Sequence, residues 1–131
     1  KSEGEREYVM MPDEILTEIT VPGGPAKTAT YEIREKEGLD WPLVTAAVAL
    51  EMDGNAVKNA RVVLGHVAPV PWPAAEAEQA LQGKTLTEDV ADAAGKAAVS
   101  RATPLSQNGY KVQLARVAVK RALMRAAKGE A

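Results

Sequence analysis

The apolar run PLVTAAVALEM, residues 42–52, constrains the fold more than any other stretch of this sequence. Its side chains are apolar at odd and even positions alike, which is typical of a strand in the middle of a sheet. Residues 53–55 read Asp-Gly-Asn, and Gly and Asn tolerate the positive φ of a tight hairpin turn. Residues 56–70 are therefore predicted to form an antiparallel partner strand, with Gly65 as a bulge or bend.

Two earlier stretches alternate with the period of two that is typical of strands. Residues 28–36, TATYEIREK, place Tyr and Ile on one side and charged residues on the other. Residues 11–22, MPDEILTEITVP, also alternate and suit a short strand. The PGGP break at 22–25 indicates a boundary. Residues 1–25 are interpreted as a tail and linker, and residues 26–131 as the domain.

Three helical patterns follow the strands. Pro73 is predicted to open a helix that ends at Gly83, since proline fits a first helical position and glycine a position just after the end. Thr85 and Glu88 have the spacing of a capping box for a second helix, which ends before Pro104. Residues 108–129 carry apolar residues at helical spacing. The order predicts an α+β fold, with an antiparallel sheet of three to four strands covered on one face by about three helices.

Bulk properties exclude several classes of function. The 131 residues are 46% hydrophobic and 26% charged, which is typical of one globular domain. A formal charge of −2 gives no general attraction to nucleic acid or to an anionic membrane. The absence of cysteine excludes disulfides and iron–sulfur ligation. No apolar run approaches the roughly 20 residues of a membrane span, and no secretory signal is recognisable, so a cytoplasmic location is expected.

The residue types that often catalyse reactions are present but isolated. His66 is the single histidine, and no nearby residue offers it a second ligand or base, so a structural or surface role is favoured. The acidic pairs Asp13/Glu14 and Glu88/Asp89 lie near the starts of predicted elements, where carboxylates stay solvated or favour helix N-termini. The sequence therefore predicts no catalytic residue and no metal site.

The last helix is basic, and no phosphate-binding loop accompanies it. A solvated face is favoured over a docking face for an acidic partner subunit, because interleaved aromatics and a basic domain, both typical of nucleic-acid binding, are missing. Neither a Gly-x-Gly-x-x-Gly nor a Walker-type loop occurs. The basic residues are Lys111, Arg116, Lys120, Arg121, Arg125 and Lys128.

Asp40-Trp41-Pro42, just before the central strand, allows two interpretations. In one, the residues start a strand: Asp40 accepts a local backbone hydrogen bond, Trp41 covers the core, and Pro42 occupies a first strand position. In the other, Trp41 offers an apolar wall to a flat ligand that another domain holds.

Four segments, in this order and spacing, carry a family resemblance. They are MPDEILTEITVP, then GLDWPLVTAAVAL, then GHVAPVPWPAAEAEQALQG, and finally the Tyr110-Lys111 pair that opens the last helix. From about Met11 to Ala127 the chain resembles the C-terminal part of the FAD-binding (medium) subunit of molybdenum hydroxylases. That family includes xanthine dehydrogenase, aldehyde oxidoreductase and aerobic carbon monoxide dehydrogenase.

The resemblance implies a C-terminal α+β domain that covers part of the flavin isoalloxazine. Asp40 and Trp41 match positions beside the ring, and Lys36, helped by Lys58, would supply positive charge toward it. FAD would belong to the complete subunit and not to this chain alone, which would not be catalytic by itself. Residues 1–25 would be the tail of the FAD-binding region.

The resemblance also implies partners. They are the N-terminal FAD-binding domain, the iron–sulfur subunit and the molybdopterin subunit, with a second copy of the chain as a further candidate. In the complex, electrons would pass from molybdenum through [2Fe–2S] clusters to FAD.

Two other hypotheses stay open at this point. One is a stand-alone interaction or dimerisation module with no flavin role, which predicts a self-associating apolar patch. The other is a small enzyme that uses Asp40, His66 or the acidic pairs, which requires those side chains to converge in one pocket.

Overall fold

The computed structural model describes residues 9–21, 23–24, 26–36 and 38–130. Four strands form one antiparallel sheet in the order β1-β2-β3-β4, and three helices follow them in the chain. The predicted α+β fold is confirmed. The elements are β1 (Lys27–Ile33), β2 (Val44–Asp53), β3 (Ala56–Gly65), β4 (Trp72–Pro73), α1 (Ala75–Leu81), α2 (Glu88–Ala98) and α3 (Tyr110–Lys128).

β2 and β3 form the predicted antiparallel hairpin. Asp53 pairs with Ala56 across the turn, and Gly54 between them has a φ of 57°, which glycine adopts without steric cost. The irregular step in the pairing lies between Glu51 and Met52. Of the predicted bulge or bend at Gly65, the bulge is wrong, because Gly65 ends β3, where a Cβ atom would collide with the Thr45 side chain. The chain does bend directly after it, at His66.

The helices cover one face of the sheet, as predicted. β2 lies between β1 and β3, so its central position is confirmed. Its buried side chains are Val44, Ala46, Val48 and Leu50. The alternate side chains lie on the opposite face, which no described element covers; we call Thr28, Thr30, Ala47, Ala49 and Val63 the outer sheet face. The residues on this face are small. The apolar side chains on both faces of β2 therefore do not mean that both faces are buried.

The first helix begins two residues later than predicted. Pro73 lies in β4, where it pairs with Val63, so the prediction that it opens the helix is wrong. Two hydrogen bonds of Val62 connect the sheet to α1. Its carbonyl oxygen accepts from the Ala74 N–H at 2.8 Å, and its N–H donates to the Glu78 carboxylate at 3.1 Å. The predicted stop is confirmed, because Gly83 follows the helix with a φ of 72°.

The second helix is capped by a different threonine from the predicted one. The Thr87 hydroxyl accepts a hydrogen bond from the Val90 N–H at 3.3 Å, which satisfies one of the free donors of the first turn. Thr85 instead forms a β-bridge with Ala56. The predicted Thr85–Glu88 capping box is therefore wrong, whereas the helix does end before Pro104, at Ala98.

The segment before the domain does not form the predicted strand. Residues 11–21 have no strand among them, and Pro22 lies outside the described residues. Ile15 and Ile19 are 85% and 75% exposed, respectively. The alternation describes how a strand would present its side chains, but here no neighbouring strand edge pairs with it.

The core relies on close approach of small side chains. It contains many alanines, including Ala118 and Ala122 of α3, around the larger Leu50, Leu81 and Leu123. No charged or polar side chain is fully buried in the part of the chain that the structure describes. The helical layer therefore holds the sheet by apolar packing, and the polar groups of interest lie at the ends of the strands.

Candidate functional site

Two loops meet at one end of the sheet. Ile33, the last residue of β1, pairs with Val44, and Thr45 pairs with Gly65, the last residue of β3. The β1–β2 loop (34–43) and the β3–β4 loop (66–71) therefore lie side by side, and we call them the loop end. α3 begins here too, because the Lys111 ammonium donates a hydrogen bond to the His66 carbonyl oxygen at 3.0 Å.

Asp40 fixes the shape of the β1–β2 loop. Its carboxylate accepts a hydrogen bond from the Lys36 N–H at 3.1 Å, and Leu43 donates to the Ile33 carbonyl oxygen at 2.8 Å where the sheet resumes. The prediction that Asp40 serves as a local backbone acceptor is confirmed. This carboxylate holds the turn that presents the next residue.

Trp41 does not cover the core. Its side chain is 83% exposed, so the predicted role of core lid is wrong. Its ring centroid lies 6.4 Å from that of His66, with a tilt of 55° between the rings. The rest of the indole faces outward as a flat apolar surface at the loop end, which is the feature that a flat ligand would use.

Unusual backbone geometry is concentrated at the same place. Leu39 and His66, with φ of 20° and 62°, are the non-glycine residues of positive φ in the described ranges. One lies in each loop, and Leu39 also leaves its apolar side chain fully exposed. Such conformations are costly for residues with a Cβ atom, and they often accompany functional loops.

The fold brings together three of the four predicted flavin contacts. Lys36, Asp40 and Trp41 share the β1–β2 loop. Lys58 lies seven residues before Gly65 on β3, so at about 3.3 Å per residue it is roughly 23 Å away along the strand, near the hairpin. A ring held against Trp41 would therefore not touch Lys58.

The acidic pairs do not converge with the loop end. The Glu14 carboxylate accepts from the Met11 N–H at 2.7 Å in a local turn, and Glu88 pairs with Lys120 of α3 at 2.7 Å. Among the described residues, no group of three or more His, Asp or Glu side chains could hold a metal ion. These carboxylates lie away from His66, so the convergence that a small enzyme would require is not seen among the described residues.

The basic side chains of α3 are engaged with the rest of the domain. Arg116 pairs with Asp92 at 2.9 Å, and Lys96 also bonds that carboxylate at 2.9 Å. Together, the hydrogen bonds from Lys96 and then Arg116 lower the pKa of Asp92 to about 2. The hydrogen bond from Lys120 likewise lowers the pKa of Glu88. The prediction of a simply solvated face is thus wrong for Arg116 and Lys120.

Two further arginines of α3 hold the edge of the sheet. The guanidinium groups of Arg121 and Arg125 lie 5.1 and 4.8 Å from the Tyr31 ring centroid, in cation–π contact. Arg125 also donates to the Thr30 carbonyl oxygen at 3.2 Å. These contacts lie on the edge strand β1, whereas Lys111 contacts the loop end.

A groove beside the loop end was not predicted from the sequence. It has a volume of about 290 Å³, and its walls include Val67, Trp72, Val99 and Val112. The Arg101–Glu76 pair, at 3.2 Å, lies among its lining residues. Its walls come from β3, β4, all three helices and two loops, so no single motif could have revealed it, although the PVPWP segment marked one side.

Comparison with known proteins identifies the family of this fold. The sequence profile of the CO dehydrogenase flavoprotein C-terminal domain matches residues 29–126, which is most of the chain. The chain belongs to this family. The interpretation as the C-terminal domain of the FAD subunit of a molybdenum hydroxylase-type oxidoreductase is thereby confirmed.

Individual relatives agree with this assignment. The carbon monoxide dehydrogenase medium chain of Hydrogenophaga pseudoflava is 32% identical over 116 residues, which cover 85% of this chain and 40% of that protein. A solved structure of the carbon monoxide dehydrogenase from the same organism superposes with a TM-score of 0.74 at 34% identity, over 85% of this chain and 40% of the other.

A relative named for a different substrate has the same fold. Quinoline 2-oxidoreductase from Pseudomonas putida 86 superposes with a TM-score of 0.77 at 29% identity, over 83% of this chain and 39% of that chain. The chain thus spans about 40% of the length of the relatives it matches. No helix among the described residues is long and apolar enough to cross a membrane.

Proposed function

We propose that this chain is the flavin-facing and subunit-docking domain of its oxidoreductase subunit, with residues 36–41 against the isoalloxazine of FAD. The observation that carries the proposal is Trp41, which is 83% exposed on a loop whose backbone Asp40 holds in place. Removal of a large indole from water by a partner surface or a ligand is favourable, so Trp41 offers binding energy to whatever covers it.

The residues at the loop end fit one part of FAD and not another. An isoalloxazine has flat apolar faces, which the Trp41 ring can cover, and Lys36 places a cation on the same loop. A diphosphate requires several convergent N–H donors, whereas Pro42, Pro69 and Pro71 remove donors from these loops. The diphosphate would therefore be anchored by the FAD-binding domain.

FAD, when bound, would supply the capacity to accept electrons and pass them to a further acceptor. The role proposed for this chain is limited to what its own residues can do. Trp41 covers the ring and excludes water from one side, and the Asp40 hydrogen bond keeps the loop from collapsing onto the sheet. In the complex, electrons would reach the flavin from molybdenum through [2Fe–2S] clusters carried by partner subunits.

Docking of those partners is supported by surfaces that the domain leaves open. The outer sheet face is built mostly from small side chains, with Arg61 beside them, so another layer could pack on it. The proposed partners are the N-terminal FAD-binding domain, the iron–sulfur subunit and the molybdopterin subunit. The relatives are named for carbon monoxide and quinoline as substrates, so the choice of substrate is proposed to lie with another subunit.

A second candidate function has its own support. The alanines and Val63 of the outer sheet face, and the exposed Ile15 and Ile19, are apolar side chains that a second copy of the chain could bury. In that case the chain is an interaction or dimerisation module with no flavin role, and Trp41 is part of a protein interface. Flavin affinity separates the two candidates.

The test is the affinity of the complete subunit for FAD with Trp41→Ala, Trp41→Phe and Lys58→Ala. Aromatic stacking contributes about 0.5–1.5 kcal/mol, so Trp41→Ala should weaken binding about two- to tenfold. Trp41→Phe should restore most of the affinity, and Lys58→Ala, at the far end of the sheet, should leave it unchanged. Equal affinity in wild type and Trp41→Ala would favour the interaction module.

A further inference from the structure

We propose that His66 is a positioning residue that holds the Trp41 ring in one orientation at the loop end. The inference concerns the contact between the two side chains, and only its consequence for the cofactor rests on the proposed function. The sequence predicts a structural or surface role for His66, and the structure shows that its side chain contacts Trp41. It lies in a different loop from Trp41, 25 residues along the chain.

The backbone of His66 is fixed from two sides. It follows Gly65, which pairs with Thr45 at the end of the sheet, so its start is set by β3. Its carbonyl oxygen accepts the hydrogen bond from the Lys111 ammonium, so its end is set by the first turn of α3. A φ of 62° turns the chain sharply between these two anchors and directs the imidazole toward the β1–β2 loop.

That backbone conformation explains why histidine is tolerated there. Asn, Asp and His are enriched several-fold over other non-glycine residues in the left-handed region. A glycine would relieve the strain but would remove the ring. Because histidine keeps this costly backbone conformation, we infer that its side chain has a role. The contact that the side chain makes is with Trp41.

The geometry of the two rings suits a positioning contact. The rings form a tilted pair at 55°, and their centroids, 6.4 Å apart, lie within the distance range of interacting aromatic pairs. Trp41 is otherwise exposed, so without a neighbour its side chain would sample several rotamers in water. His66 selects among them, and a preorganised ring loses less conformational entropy when it meets a flat ligand.

The test uses Trp41 emission in a Trp72→Phe background, because Trp72 is the other tryptophan of the chain. With His66 present, the imidazole should restrict the indole, so the fluorescence anisotropy of Trp41 should decay slowly. His66→Asn keeps a residue that tolerates positive φ but has no ring. In that variant the fluorescence anisotropy of Trp41 should decay faster, with the urea midpoint retained.

The outcomes separate this inference from the proposed function. An unchanged anisotropy decay of Trp41 in His66→Asn would overturn the inference, whatever the flavin does. In the complete subunit, His66→Asn should also weaken FAD binding, but by less than Trp41→Ala. If the fluorescence result holds and FAD is indifferent to Trp41, the positioning contact stands and the flavin role fails.

Discussion

Gly95 of α2 lies directly against the backbone of Arg116 in α3. A Cβ atom at Gly95 would lie 2.5 Å from the Arg116 carbonyl oxygen, closer than real Cβ contacts. The Arg116 side chain then reaches Asp92, one turn earlier on α2, at 2.9 Å. The two helices thus meet backbone to backbone, and an ion pair bridges them beside the point of closest approach.

This close approach determines whether Gly95→Ala raises or lowers the free energy of unfolding. Helix propensity alone would stabilise the variant by about 1 kcal/mol. The added methyl group cannot be accommodated by a side-chain rotation, because it meets a backbone carbonyl, and overpacking of this kind costs about 1–3 kcal/mol. Urea denaturation should therefore show a lower free energy of unfolding for Gly95→Ala.

Ala93→Gly is the matched control for that variant. Ala93 is exposed on the same helix, so only helix propensity should change, with a loss of about 1 kcal/mol. A Gly95→Ala protein more stable than wild type would show that α2 and α3 can move apart freely.

The start of α2 depends on Thr87. Thr87→Ala removes the hydroxyl that accepts from Val90 and should destabilise the domain by about 1 kcal/mol, the typical value of an N-cap. Thr85→Ala should have little effect, because Thr85 contributes its backbone, and not its side chain, to the bridge with Ala56. Equal losses of unfolding free energy in the two variants would contradict this assignment.

Stability should fall in acid because the carboxylates of Asp92, Glu88 and Glu76 have lowered pKa values in the folded state. For Asp92 the pKa falls from 3.8 to about 2, so its contribution is complete above the ordinary value and is lost as the pH falls toward about 2. Glu88 behaves in the same direction from its ordinary value of 4.5. The urea midpoint should drop over this range, and Asp92→Asn should flatten the drop while lowering the midpoint at neutral pH.

Lys120, the partner of Glu88, predicts a loss of stability at alkaline pH. Hydrogen bonding to Glu88 raises the pKa of Lys120 above its ordinary value of 10.5. Its contribution is therefore complete below that value and is lost as the pH rises through the raised pKa. A Glu88→Gln variant whose alkaline transition matches that of wild type would show that the pair makes no such contribution.

Local sequence chemistry was sufficient for the fold class and for part of the site. The β2–β3 hairpin followed from the turn at Gly54, and the stop of α1 followed from Gly83, because each depends on the φ of one residue. The acceptor role of Asp40 was likewise local, since its partner, Lys36, is four residues away.

Predictions failed where a distant contact decided the outcome. Thr85 and Thr87 both have side chains that can cap a helix, but Thr85 forms a bridge with Ala56, and Thr87 caps the helix that begins at Glu88. The alternation of residues 11–22 could not reveal that no strand edge pairs with them. The contact of Trp41 with His66 joins two loops, so neither loop alone indicated it.

Hydrogen exchange of the complete subunit, measured with and without FAD, tests the flavin-facing role most directly. Added FAD should slow exchange in residues 36–43, the loop that carries Trp41, and leave the hairpin at 53–56 unchanged as an internal control. Unchanged exchange in residues 36–43 on a subunit that has bound FAD would contradict the account, because the loop end would then not face the flavin.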